Sequence, residues 1–340
     1  MDENQRSSAG APGEADSAAT FDDAFMHMAA LRQQPGFVMA VDQAMRGLLG
    51  MYRGHLLPNR ILNDRGRLAL ALCTLYLHHE PDRNGVGLTV TRLTNLCQDT
   101  GICSRGRAKA MILLMRWAGF LEVGRTSDIR APSGRTRPLV PTQRLVDEQT
   151  RRWLILSGAL ARLDPLGGLL LTGLENPGFF GALIRQLGRR YVAGIRLLDT
   201  APAIALFADR DGGLMMAFLL AKAANDALAA GSEASATVSI SALARGCNVS
   251  RAHVLKLVRE AEAEGLLRRL PGPEGGILAT SALHAGIEDF FAAAFSVLMC
   301  SGRDALAEME ARTQQEADTI ARPPLITTPL RPNCGPDIRP

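Results

Sequence analysis

The chain has 340 residues, 47% hydrophobic and 21% charged, long enough for two domains of ordinary globular composition. Its apolar runs are interrupted by charge, as Asp199, Asp209, Arg210 and Asp211 interrupt the stretch from Tyr191 to Ala221, so no transmembrane span is expected. The formal net charge of +4 is unevenly spread. Pro35 to Asn176 holds 19 Lys and Arg against 11 Asp and Glu, a balance of +8, whereas Pro177 to Glu310 holds 13 against 14, a balance of −1. Only the first half has the electrostatics of a polyanion binder.

Residues 1–20 are small, polar and acidic, without the apolar run of a secretory signal, and are expected to be disordered in a cytoplasmic protein. Helices are expected over Phe37–Met51 and Ile61–Leu77, then a β-prone piece at Leu88–Thr91 and a helix over 91–97. His78-His79-Glu80 closes the second of these helices and reads as a helix C-terminal charge cluster, since adjacent histidines diverge by about 100° and no further metal ligands are visible. Ser104 caps a helix over Arg105–Ala118, which Gly119 stops. Its apolar positions Ala108, Met111, Ile112 and Met115 face a core, and Arg105, Arg107 and Lys109 crowd its first turn. Leu113, Leu114 and Trp117 make its rear apolar nearly all round, so burial against the other half or a second chain is expected. Two short strands, 120–124 and 137–140, should flank a loop carrying Arg125, Arg130, Arg135 and Arg137, side chains suited to a narrow minor groove. A helix over Gln143–Leu163 follows.

The same order recurs downstream. Ser104 through Leu121 aligns without a gap on Ser250 through Leu267, and both copies read polar cap, apolar helix, glycine, two apolar residues. Upstream, Val90 to Cys97 lies on Ile240 to Cys247, with a turn four residues longer in the first copy. Gln34-Pro35-Gly36-Phe37 echoes Asn176-Pro177-Gly178-Phe179, and Leu68 to Leu72 echoes Leu214 to Phe218, so the duplicated unit spans about 130 residues. The second unit places Val254, Leu257, Val258 and Ala261 on a core face and Arg251, His253, Lys256 and Arg259 elsewhere. Its hairpin, 266–280, is tight and carries Glu274 but no basic residue at the turn; a helix from Leu283 to about Met299 or Glu310 follows, and 311–340 is expected to be a proline-rich tail.

These segments resemble the winged helix-turn-helix domains of bacterial transcriptional regulators of the MarR type, most specifically over Val238–Ala282 and more weakly over Leu88–Leu145. The resemblance implies a mainly α fold with small β-hairpin wings: two tandem winged helix-turn-helix domains flanked by packing helices, related by pseudo-two-fold duplication. The units would be residues 21–175 (helix-turn-helix 91–118, wing 120–140) and 176–310 (helix-turn-helix 240–264, wing 266–280). In that family two chains dimerise and present two recognition helices to DNA; here one chain would supply both. By that analogy Arg105, Arg107, Lys109, Arg251, His253 and Lys256 read bases or phosphates of double-stranded DNA, and Arg130 and Arg135 enter the minor groove. The unequal charge makes the first unit the dominant DNA contact of a non-catalytic, nucleoid-associated regulator that needs no cofactor. Plasmid replication initiators and the tandem winged-helix scaffolds of chromosome-condensation complexes share this layout, so a homodimer or a protein partner stays open.

No nucleotide-binding, nucleophile-elbow or zinc-protease motif occurs. Six irregularly spaced cysteines give neither a disulfide framework nor a zinc site. Cys97 and Cys247 occupy matching core positions, whereas Cys103, beside a helix N-terminus and Arg105, is the candidate redox sensor.

Overall fold

The computed structural model describes residues 22–52, 65–124, 138–231, 237–271 and 276–321. The protein is mainly helical, with two small antiparallel sheets. The first unit contains α1 (Met28–Arg32), α2 (Phe37–Tyr52), α3 (Arg65–His79), α4 (Val90–Asp99), α5 (Arg105–Trp117), β1 (Leu121–Val123), β2 (Leu139–Pro141) and α6 (Gln143–Leu160). The second contains α7 (Leu166–Gly173), α8 (Pro177–Val192), two 3₁₀ turns within 197–204, α9 (Ala205–Ala208), α10 (Gly213–Ala229), α11 (Ile240–Cys247), α12 (Arg251–Ala263), β3 (Leu267–Arg269), β4 (Ile277–Ala279) and α13 (Ser281–Ala321). Apart from the segment between α8 and α10, the second unit repeats the first element by element.

The repetition extends to single hydrogen bonds. Thr89 and Ser239 cap α4 and α11 by accepting from the backbone N–H three residues on, and Ser104 and Ser250 do the same for α5 and α12. All four cap residues have extended backbones, which lets the side-chain oxygen fold back over the first turn. Gly119 (φ 73°) and Gly265 (φ 72°) take the left-handed conformation that ends the helix and turns the chain into β1 and β3. The Thr142 and Thr280 hydroxyls then donate to the Gly119 and Gly265 carbonyls, at 2.6 and 2.8 Å, tying each trailing helix to that turn. The hairpins share one register, Leu121 opposite Pro141 and Leu267 opposite Ala279. Lone bridges from Thr89 to Pro138 and from Val238 to Ile277 add a rudimentary third strand.

The two units are interleaved. Helix α2 packs on α6 in the first unit as α8 packs on α13 in the second, but α8 also packs on α3 and α2 on α10, across the units. Likewise α1 lies against α13, and α7 against α6. Arginine–carboxylate pairs hold the two equivalent seams: Arg46 to Asp226 at 2.6 Å, and Arg189 to Glu80 at 2.8 Å. One continuous cluster of buried side chains runs through both units, with Phe218, Phe291 and Phe295 almost wholly buried in the second. Helix α13 is the only described helix long and apolar enough to cross a membrane, and 72% of its apolar stretch is buried inside the protein. It also runs to Ala321, so the boundary expected at residue 310 falls inside a helix. Pairs one turn apart, Arg312 with Glu308 at 2.9 Å and Gln314 with Asp318 at 3.0 Å, support that polar extension.

Where the first turn is longer, the four additional residues divide between helix and turn. Gln98 and Asp99 extend α4, and the left-handed position held by Asn248 (φ 54°) in the second unit passes to Gly101 (φ 70°) in the first. His78 and His79 end α3 as expected, yet they are not a charge cluster. Burial pushes the imidazole of His79 down to about 4, leaving it neutral at pH 7, with its ring against Phe180 and Gly181 of the other unit.

Candidate nucleic-acid interface

Helix α5 buries Ala108, Met111, Ile112 and Met115 and turns the rest of its circumference outward. Arg105, Arg107 and Lys109, which follow the Ser104 cap, are all exposed. The positive end of the helix dipole and three cations therefore share one turn. Arg105 and Lys109 have no ionic or hydrogen-bonding partner among the described residues, and α5 itself contains no acidic residue. Arg116, in the last turn of α5, is exposed as well.

The expected burial of the rear of α5 does not occur among the described residues. Leu113 is 61% and Trp117 74% exposed; only Leu114 is partly buried. Each residue advances about 100° around a helix, so Arg105, Lys109, Leu113 and Trp117, four apart, form one slowly winding outward stripe. The apolar rear thus continues the basic front along a single surface. That i, i+4 spacing was present in the sequence; the hydrophobicity of Leu113 and Trp117 obscured it.

Helix α12 has the same buried face, Val254, Leu257, Val258 and Ala261, but a different outer face. Arg251 is exposed, and Lys256 is 74% exposed yet 3.9 Å from Glu260. Glu260 also receives Arg210 at 3.1 Å, and Glu262 holds Arg269 through its side chain and backbone N–H, the carboxyl sitting below the usual carboxylate range because of those bonds. His253 departs from the expected outward position. It is half-buried, and its Nε2 lies 3.1 Å from the Asp211 carbonyl, which fastens the start of α12 to the loop before α10. Helix α12 thus differs from α5 in Glu260 and Glu262, which engage Lys256, Arg210 and Arg269, while Arg251 and Arg259 stay exposed without a partner among the described residues.

Not all of the first unit's excess positive charge is available either. Arg92 donates to the carbonyls of Val86 and Gly87, and Arg144 donates to Ala118 at 2.8 Å while lying over the Phe120 ring. Both arginines are fasteners, Arg92 for the start of α4 and Arg144 for the turn between α5 and the first hairpin. The hairpin arginines Arg125, Arg130, Arg135 and Arg137 lie outside the described residues, as does Glu274; the base of the first hairpin is closed by the Gly124 N–H donating to the Pro138 carbonyl at 3.0 Å.

Cys103 is half-buried and hydrogen-bonded to Cys97, whose thiol burial pushes up to about 12. Cys97 and Cys247 are buried at equivalent places, as a core role requires. No group of three or more histidine, cysteine or carboxylate side chains that could hold a metal occurs among the described residues. No family model matches the chain, and neither a curated protein nor a solved structure matches it.

Proposed function

We propose that this protein is a sequence-specific DNA-binding regulator in which two winged helix-turn-helix units, fused in one chain, act as a pseudo-dimer and the first makes the dominant contact. The observation that carries the reading is the N-terminal turn of α5, where exposed Arg105, Arg107 and Lys109 meet the helix dipole without an acidic residue on that helix. Arginine and lysine so placed reach guanine edges or phosphates when a helix lies in the major groove. Leu113, further along the same stripe, suits a thymine methyl group. The reading assigns the protein no catalytic step.

A second reading has a specific observation behind it. Exposed Leu113 and Trp117 would also suit an apolar partner protein, making the chain a winged-helix scaffold. Capture of fragmented genomic DNA from the source organism at near-physiological salt, followed by sequencing, separates the two. Discrete enriched sites support the regulator, and clustering at tandem repeats would specify an origin-binding initiator. No enrichment from well-folded protein rejects DNA reading in favour of the scaffold.

A further inference from the structure

A cavity of about 230 Å³ lies where the two units meet. Protein interiors are otherwise close-packed, and ~150 Å³ already holds a benzene-sized guest. Its wall is built from residues that are counterparts in the duplication. Leu68 and Leu214 correspond, as do Arg152 and Phe290, and Leu156 and Ala294, the last two pairs following from the match of Thr142 to Thr280. A space lined by both members of each pair lies on the pseudo-two-fold axis itself, so the chain contains one such chamber rather than two.

The duplication has diverged on this wall in a directed way. On this wall α13 contributes only apolar side chains, Phe290, Ala294 and Val297, whereas α6 contributes Gln149, Arg152 and Trp153 beside Leu156, so one side of the chamber is apolar and the other carries polar groups. Gln149 is only 3% exposed, and its Nε2 has no hydrogen-bond partner among the described residues; the Trp153 Nε1 is buried in the same condition. Buried donors left unsatisfied are costly and native structures rarely keep them without a purpose. Arg190 and Arg196 also line the chamber, Arg190 bound to Asp304 at 2.7 Å and Arg196 lying over the Tyr191 ring at 3.7 Å, and no lining residue is acidic. The polar side thus offers donors in a positive field to a head group that accepts hydrogen bonds and carries negative charge.

We propose that this axial chamber binds one apolar carboxylic acid per chain, its carboxylate taking the Gln149 and Trp153 donors and its hydrocarbon lying against Leu68, Leu214 and Ala294. The site is independent of whether the outer surface reads DNA. Octanoate, with octylamine as the control of equal chain length and opposite charge, is titrated calorimetrically into the full chain at pH 7. The expected result is saturable octanoate binding at one molecule per chain, at least about tenfold tighter than octylamine. Gln149→Leu should weaken octanoate by about tenfold, the loss of one hydrogen bond to a charged group, without weakening octylamine. Ala294→Phe fills the chamber and should abolish binding; Leu156→Phe serves the same end if the first variant does not fold. Absence of saturable binding, two molecules per chain, equal affinity for both probes, or octanoate binding unchanged in a folded filled variant would each overturn the proposal.

Discussion

Helices α5 and α12 are the same object built twice and used differently. Both start at a serine cap, bury four apolar side chains at matching positions and end at a left-handed glycine, so the interior of the motif is preserved. Their outer faces share no such constraint. In α12 glutamates at 260 and 262 engage Lys256 and nearby cations, and His253 is tied to the Asp211 carbonyl, leaving Arg251 and Arg259 exposed, whereas α5 has no acid and keeps Arg105 and Lys109 without a partner among the described residues. A duplicated fold thus retains what packing demands, while its surfaces are free to acquire separate roles.

The interleaving of the units sets the first and largest test of how far that separation goes. Because α8 covers α3 and α2 covers α10, residues 22–175 or 176–321 expressed alone should lack a cooperative thermal transition, and mixing the two should restore it. Independent folding of either piece would mean that the seam is a late contact rather than a shared core.

Substitution at the seam should act more locally. A Cβ at Gly188 would sit 2.3 Å from Cδ2 of Tyr76 and 2.7 Å from its Cβ, leaving no flexible end to move aside. Gly188→Ala should therefore destabilise the whole chain by about 1–3 kcal/mol in denaturant unfolding, the usual cost of overpacking. Loss confined to one unit would break the picture of a common core.

Acid probes the same seam through His79. Its folded-state pKa, about 4, lies below the ordinary 6.5, so between those values the unfolded chain binds the proton and the folded chain does not. The stability gained from keeping this imidazole neutral is complete above pH 6.5 and is lost as pH falls toward 4. His79→Gln should flatten that part of the stability profile measured by thermal melting; an unchanged profile would show that the histidine titrates freely.

The smallest effects should also be the most equal. Ser104→Ala and Ser250→Ala each remove a cap and should each cost about 1 kcal/mol. A marked inequality in melting would show that the two motifs are not energetically equivalent inside.

Much of this architecture is legible in the sequence. Serine caps, glycine stops and the apolar repeat located α5 and α12 to within a residue, because those signals are local and the same residues that start and end a helix do so in any context. Three features were not legible, each because the deciding force is non-local. Nothing periodic marks the 3₁₀ turns within 197–204, whose buried Leu198 and Ile204 are organised by the helices around them. The last turns of α13 have no apolar face, so they read as tail although side-chain pairs continue the helix. Leu113 and Trp117 read as interior because hydrophobicity reports what a side chain prefers, not whether a partner is present in the same chain. At the candidate interface the basic turn of α5 was visible, but the internal bonds that occupy Arg92, Arg144 and His253 were not.

The most direct test of unequal units sharing one core is the salt dependence of DNA affinity, measured by fluorescence anisotropy on a captured genomic site. The wild-type chain is compared with the Arg105→Ala/Lys109→Ala and Arg251→Ala/Lys256→Ala double variants. If the first unit dominates, its variant should lose about 2–4 kcal/mol of binding and reduce the salt slope by roughly two, while the second variant stays near wild type. Equal losses of affinity and slope in the two variants would contradict the account.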